Sequence, residues 1–211
     1  MPDPLGDAVR WLRDGGLLAY PTETVWGLGA ISDSESSVAR LREWKGRGAG
    51  DPMAILIAKF ADLEALDFEV GAAAQKLAAA FWPGPLTLVI PCRRSFASGI
   101  ARGDGAVGVR CSAHPLAAAL ARRLRREGVA PVTATSLNVS NLAPARTRRE
   151  ASATCRNDAD RLRLLDVEGA EAGDDAASSV VDLAADRPEV LRWGALPASK
   201  LDPVLREITP R

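Results

Sequence analysis

Short apolar runs alternate along this chain with segments of helical periodicity, and that alternation constrains the fold more than any other feature. The runs are LLAYP (17–21), AILIA (54–58), LTLVIP (86–91), AVGVR (106–110), PVTATS (131–136), SSVVDL (178–183) and EVLRW (189–193). Each is a few residues long, and LLAYP and AILIA are continuously apolar, the pattern of a strand covered on both faces. Between them lie amphipathic stretches with recognisable ends. Pro4 opens a helix carrying Leu5, Ala8, Val9 and Leu12, and Gly15-Gly16 closes it. Ser34 or Asp33 caps a helix that runs to about Trp44, with Val38 and Leu41 on one face. ADLEAL and GAAAQKLAAAFW read as helical, the latter stopped by Pro83-Gly84-Pro85. HPLAAALARRLRREG is an amphipathic helix ending at Gly128, and TRREASATC a short one. About seven strands with interleaved helices imply a layered α/β domain with a twisted mixed sheet. Residues 157–177 are the least regular part, acidic and rich in small residues, and a mobile loop is expected there. With no repeat or linker, the expectation is one domain over residues 1–211.

Composition narrows the function. Lys+Arg and Asp+Glu are both 27, which argues against a surface that clamps nucleic acid throughout, although a local basic groove stays open. No apolar run reaches the ~18–20 residues of a membrane span. The start, MPDPLGDAVRWLRDGG, has none of the character of a signal peptide. Cys92, Cys111 and Cys155 have no CxxC spacing and read as reduced thiols in a cytoplasmic protein. The single histidine, His114, leaves no His pair or Cys/His cluster, so no metal held by the protein alone is expected. No G-x-S-x-G turn is present for a serine hydrolase.

The ligand site should lie where strand ends and loops converge. TETVWGLGA (22–30) leaves the first strand with Thr22, Glu23 and Thr24, and Gly27 and Gly29 would let backbone approach a ligand. It lacks both phosphate-loop patterns, and a tight strand-to-helix turn would explain it as well. Lys45 and Arg47 sit two residues apart where a helix ends. Cations there suit the helix dipole, and equally a polyphosphate. Thr133 to Asn141 is dense in hydroxyls and amides, either a polar turn or a set of neutral donors. Arg110 ends the AVGVR strand, where it is a solvated charge or a carboxylate clamp. Ser178 and Arg192 lie on the last two strands. Cations, hydroxyls and amides without a nucleophile suit a phosphate-rich ligand and a small carboxylate, with catalysis by positioning and charge neutralisation.

In this order the loops resemble the YrdC-type family of L-threonylcarbamoyladenylate synthases. The matching segments are YPTETVWGLG (20–29), KGR (45–47) with DPMAILIA, FWPGPLTLVI (81–90), GVRCSAHPL (108–116), PVTATSLNVS (131–140), SSVVDL and VLRWG (190–194). The KxR pair with the SxN motif is the family's signature tetrad, here Lys45, Arg47, Ser136 and Asn138. The resemblance implies a twisted α/β fold around a deep basic cavity. It implies a nucleotidyltransferase that joins L-threonine, bicarbonate and ATP, with Mg²⁺ accompanying the ATP, into threonylcarbamoyl-AMP and pyrophosphate. A separate transferase complex would then modify adenosine 37 of tRNAs reading ANN codons. Carried over residue by residue, the tetrad would hold the phosphates and ribose, with Arg192 as a further ATP contact. Thr22, Thr24, Arg110 and Ser178 would line the threonine pocket, Arg110 clamping the carboxylate.

This chain departs from the family pattern at several positions. Gly48 stands where Pro is usual, Asn141 where Gly is usual, Trp26 for a common Tyr, and Leu56 where some members carry His. Glu23 is a weak candidate for the base that carbamate formation needs, against a structural carboxylate. Residues 157–177 could close over ATP. Two alternatives stand beside the synthase reading: RNA binding along the basic cavity, and carbamoyl-adenylate chemistry as in hydrogenase-maturation proteins. The latter domains sit in much longer chains, so the short single-domain synthase form is expected.

Overall fold

The computed structural model describes residues 3–208 apart from Ala49, Asn141, Asp166, Glu168, Asp174 and Asp175. The helices are α1 (Pro4–Arg13), α2 (Glu35–Lys45), α3 (Asp62–Ala65), α4 (Ala72–Phe81), α5 (Pro115–Arg126), α6 (Arg148–Arg156) and α7 (Ala198–Ile208). The strands are β1 (Leu17–Tyr20), β2 (Gly27–Gly29), β3 (Ile55–Leu56), β4 (Leu86–Pro91), β5 (Ala106–Arg110), β6 (Thr135–Ser136), β7 (Leu162–Leu164), β8 (Ser179–Asp182) and β9 (Glu189–Arg192).

Local chemistry sets the helix ends. Asp3 accepts from the Gly6 amide and Pro4 starts α1, where its missing N–H costs nothing. Ser34 caps α2 through the Ser37 amide, and Gly46 in the left-handed region closes it. Thr147 and Glu150 form a reciprocal capping box on α6. His114 caps α5: its Nδ1 accepts from the Leu116 amide, and Pro115 follows.

The α/β class holds, with twisted mixed sheets flanked by helices. The strands make two sheets rather than one. A four-stranded sheet has the order β6-β2-β1-β7 and a five-stranded sheet the order β3-β5-β4-β8-β9. The division arises because β2 folds back antiparallel on β1, pairing Ala19 with Leu28, in a stretch that reads as loop from sequence. In the irregular 157–177 segment, β7 runs parallel to β1, pairing Leu17 with Leu162. Four residues of that segment, Asp166, Glu168, Asp174 and Asp175, lie outside the described residues.

Strand β1 shows why the runs are continuously apolar. All four of its residues are buried, but they alternate between two cores. Leu17 and Ala19 join a large cluster with Trp26, Leu28, Leu41, Leu88 and Val109. Leu18 and Tyr20 join a second with Val9 and Leu12 of α1 and Leu120 and Leu124 of α5. A period-2 strand with a helix layer on one face and a sheet on the other must be apolar at every position. Ile55 bridges to Thr133, tying the five-stranded sheet to the strand that leads into β6.

Candidate active site

Residues of both sheets enclose a cavity of about 290 Å³. Tyr20, Thr22, Thr24 and Gly27 contribute from one sheet and its first turn, Thr87, Gly108 and Arg110 from the other. Arg47, Ser136, Ser178 and Arg192 also face it. Of the residues expected to bind ligand, Thr22, Thr24, Arg47, Arg110, Ser136, Ser178 and Arg192 are brought together here, while Lys45 and Asn138 are not on its wall.

The first turn is locked by its own hydroxyls. Thr22 Oγ1 donates to the Val25 carbonyl at 2.6 Å and accepts from the Thr24 amide at 3.2 Å. Because the Thr22 proton is committed, the 2.9 Å contact between the two hydroxyls has Thr24 as donor. The Thr24 oxygen lies 3.4 Å from Arg110 Nη2. Gly27 faces the Tyr20 ring, and a Cβ there would come within 2.9 Å of Tyr20 Cζ. Gly27 stays on the cavity wall, and both Gly27 and Gly29 also make room for Tyr20, whose hydroxyl donates to the Thr133 carbonyl at 2.8 Å.

Arg110 is 6% exposed. Its Nη2 donates to Glu23 Oε1 at 2.8 Å. Ser112 Oγ donates to Glu23 Oε2, and itself accepts from the His114 amide at 3.2 Å. Burial works to raise the Glu23 pKa, but the Arg110 guanidinium and the Ser112 hydroxyl outweigh it and hold the carboxyl below its ordinary value. Glu23 is thus an ion-paired structural carboxylate, not a free base. Behind it, the Gly173 amide donates to the Thr22 carbonyl at 2.9 Å, and a Cβ on Gly173 would lie 2.0 Å from the Glu23 carbonyl oxygen. The neighbouring Glu171 carbonyl meets His114 Nε2 at 2.9 Å. Since His114 Nδ1 is an acceptor, the neutral ring carries its proton on Nε2.

The KxR and SxN motifs meet at the other end. Lys45 is 2% exposed, and its ammonium donates to the Ser136 and Asn138 carbonyls at 2.6 and 2.7 Å. Asn138 Oδ1, at 3.4 Å, takes the third donor position. Burial, then the charge of Arg47, pushes the Lys45 ammonium down to about 8. Asn138 also accepts from Ser136 Oγ, and its amide donates to the Val139 and Leu142 carbonyls at 2.9 and 2.7 Å. The resemblance implies that Lys45 and Asn138 hold the nucleotide; here both side chains bond to the 136–142 loop itself. Asn141, at the usual glycine position, lies outside the described residues, as does Ala49 after KGR.

Arg47 faces the cavity and donates to Thr135 Oγ1 at 3.2 Å and to the Pro52 carbonyl at 3.0 Å, while its Nε is buried without a partner. Arg192 donates from Nε to the Ser178 carbonyl at 2.9 Å and from Nη2 to Ser178 Oγ at 3.1 Å. Ser178 Oγ also meets Thr87 Oγ1 at 2.8 Å. Burial lowers the proton affinity of both arginines, and Arg110 and Arg47 add to the effect on Arg192. Arg47 and Arg192 both line the cavity with no carboxylate at ion-pair distance among the described residues. Arg102, at its edge, is neutralised by Asp104 and Asp182.

Of the departures, Trp26 is fully buried with an unpartnered Nε1, and Leu56 lines the cavity. Burial pushes the Cys111 and Cys155 thiols up to about 11 and about 12, which suits inert core residues rather than nucleophiles. Among the described residues no group of three or more His, Cys, Asp and Glu could hold a metal ion. No helix there is long and apolar enough to cross a membrane. Sequence reasoning did not find the Glu23–Arg110–Ser112 cluster, whose one signal was a carboxylate inside a turn of hydroxyls.

Comparison with known proteins agrees with this architecture. Residues 10–194 match the Sua5/YciO/YrdC family model, described as telomere recombination. The threonylcarbamoyl-AMP synthase of Pyrococcus abyssi is 38% identical over 201 residues, 95% of this chain and 57% of that protein. That of Bacillus subtilis is 35% identical over 208 residues, 98% of this chain and 58% of the relative. The crystal structure of P. abyssi Sua5 complexed with L-threonine superposes with a TM-score of 0.82 at 35% identity, covering 97% of this chain and 58% of that one. The chain thus spans a little over half the length of these relatives. With residues 10–194 matched by the family model and a relative 38% identical over 95% of it, this chain belongs to the Sua5/YciO/YrdC family.

Proposed function

We propose that the cavity binds ATP and L-threonine and joins them through bicarbonate into threonylcarbamoyl-AMP. The observation that carries this reading is one pocket with two kinds of cationic site. One end has an arginine neutralised by Glu23, matched to a single carboxylate. The other has Arg47, and Arg192 beside Ser178 feels both Arg110 and Arg47; neither forms an ion pair among the described residues, and together they suit a polyphosphate. The similarity to the P. abyssi and B. subtilis synthases supports it.

The chemistry asks little of the protein beyond placement. The unprotonated amine of threonine attacks bicarbonate, giving a carbamate and water. A carbamate oxygen then attacks the α-phosphorus in line, and the bond to the β-phosphate breaks to release pyrophosphate. Arg110 holds the amino-acid carboxylate through Nη1, which makes no hydrogen bond with the described residues. Thr22, Thr24 and Ser178 shape the space around the substrate, and Arg47, Ser136 and Arg192 face the phosphates and ribose. Lys45 and Asn138 act one layer back, by holding the Ser136 loop in place. Charge neutralisation by fixed guanidiniums lowers the barrier as negative charge shifts to the leaving group.

The residues present do not fit a resident Mg²⁺. Arginines and hydroxyls line the cavity, and the neighbouring carboxylates Glu23 and Asp182 are bound to Arg110 and Arg102. Mg²⁺ enters as the counter-ion of the nucleotide, and no step is assigned to it. The product is a mixed anhydride, so the next reaction is an acyl transfer, here to adenosine 37 of tRNA by a separate cytoplasmic transferase complex.

The test is a product assay with ATP, Mg²⁺, ¹⁴C-bicarbonate and L-threonine, against L-serine and no amino acid. Labelled adenylate and pyrophosphate in the threonine arm support the reading. Label with another amino acid overturns the substrate. No adenylate from folded protein, together with salt-sensitive retention of RNA, turns the cavity into a nucleic-acid site.

A further inference from the structure

Glu23 lies beside the cavity without lining it, although Thr22 and Thr24 on either side do. Its carboxylate is held at both oxygens, Oε1 by Arg110 Nη2 and Oε2 by Ser112 Oγ. The Ser112 hydroxyl is oriented in turn, because it accepts from the His114 amide just before α5 and so donates its own proton toward Glu23. On the backbone side Gly173 closes against the Glu23 carbonyl with no room for a Cβ. Both ends of this residue are therefore fixed by neighbours from different parts of the chain.

The consequence falls on Arg110. Its Nη2 is taken by Glu23, with Thr24 at 3.4 Å, and its Nε is buried without a partner. Nη1 is left for the cavity. An arginine with five donors can meet a carboxylate in several ways, and a flexible one loses affinity by choosing among them. A resident carboxylate on one edge removes that choice.

We propose that Glu23 is a positioning residue for Arg110, fixing which edge of the guanidinium meets the amino-acid carboxylate and so setting affinity for the amino acid without touching it. The inference rests on the functional reading above. It also has a rival with the opposite sign. If the Glu23 carboxylate instead occupied the place of the substrate carboxylate, it would compete with the amino acid and have to leave.

The test uses the full chain and two variants, Glu23→Gln and Ser112→Ala. Glu23→Gln keeps the size and an acceptor oxygen but removes the charge. Ser112→Ala keeps the carboxylate and removes its second support. L-Threonine and ATP affinities are measured separately by calorimetry, and kcat and KM for each in the adenylate assay, with thermal unfolding as a control for folding. For Glu23→Gln the expected result is an L-threonine Kd and KM raised about tenfold, the loss of one charge-assisted hydrogen bond, with ATP affinity within about twofold of wild type. Ser112→Ala is expected to shift the same constant in the same direction by less. A lowered L-threonine Kd in Glu23→Gln would establish the competitor instead. An unchanged Kd in both folded variants, or equal losses for threonine and ATP, would also overturn the proposal. If wild-type protein binds L-threonine but makes no adenylate, the reaction assignment fails and calorimetry alone decides the role of Glu23. If it binds no L-threonine, both fail.

Discussion

The two ends of the cavity solve the problem of a buried cation in opposite ways. At the PTET end, Arg110 is 6% exposed and carries its own counter-ion, Glu23, at 2.8 Å. The hydroxyls around it are committed to one another and to the Val25 carbonyl, so their hydrogen bonds are made within the protein. Arg47 at the KGR end and Arg192 beside Ser178, which feels both Arg110 and Arg47, have no carboxylate at ion-pair distance among the described residues, and burial weakens their hold on the proton. Their polar contacts are to carbonyls and hydroxyls, which satisfy donors but leave the charge in place. A neutralised end suits a ligand of one negative charge, since a further charge would meet Glu23. A charged end suits a ligand that brings several, because two unit charges at 4 Å attract by about 4 kcal/mol at an effective dielectric of 20.

The largest expected effect is at the neutralised end. Arg110→Ala removes the clamp and strands the Glu23 carboxylate, a loss of about 3–5 kcal/mol for a broken buried pair. Threonine-dependent adenylate should fall at least about a hundredfold, and urea unfolding should report reduced stability. Recovery in Arg110→Lys would show that charge alone matters there, and would break the argument from guanidinium geometry.

Arg47→Ala comes next and tests the division itself. KM for ATP should rise about tenfold, the scale of one charge-assisted contact, while KM for L-threonine stays near wild type. An equal rise in both would mean that the ends are not separate sites.

A smaller, few-fold effect should follow pH. Below about 8 Lys45 is charged and ties the Ser136 and Asn138 carbonyls together; above it the ammonium is lost and the loop loses that tie. ATP affinity, measured without amino acid, should decline as pH rises through about 8. In Lys45→Arg, which stays charged, the decline should vanish. A wild-type curve flat from neutral pH upward would show that the ammonium is not what holds the loop.

The smallest effect concerns loop entropy. Gly48 follows KGR, and a Cβ there would meet its nearest atom, Asp51 Oδ2, at 3.9 Å. Gly48→Pro should stabilise the chain by about 0.4–1 kcal/mol, read as a raised thermal midpoint, and slightly tighten ATP binding. A lowered midpoint would mean that this backbone cannot take the proline angle.

Local signals were legible in the sequence because their causes are local. Starts and caps at Pro4 and Ser34 act within one turn of helix, so the residues that carry them are neighbours in the chain. The continuous apolar runs announced strands covered on both faces, and the loops carrying Thr22, Thr24, Arg47, Arg110, Ser136, Ser178 and Arg192 were found before their meeting place was known. Short strands were harder. β2 holds three residues within a glycine-rich turn, and β7 is a three-residue LRL whose alternation is too short to stand out from the irregular segment around it. Helix α7 has Pro203 inside it, a residue that ordinarily argues against a helix.

The sequence by itself determined the α/β class and several helix ends, since periodicity and capping are properties of adjacent residues, and it named seven side chains that the fold brings to one cavity. Only the tertiary structure decided the two sheets, the pairing of β7 with β1, the inward turn of Lys45 and the pairing of Glu23 with Arg110 across 87 residues. Those depend on which surfaces meet after the chain has collapsed. A carboxylate in a turn and an arginine at a strand end carry no mark of each other until packing brings them to 2.8 Å in a mostly buried place.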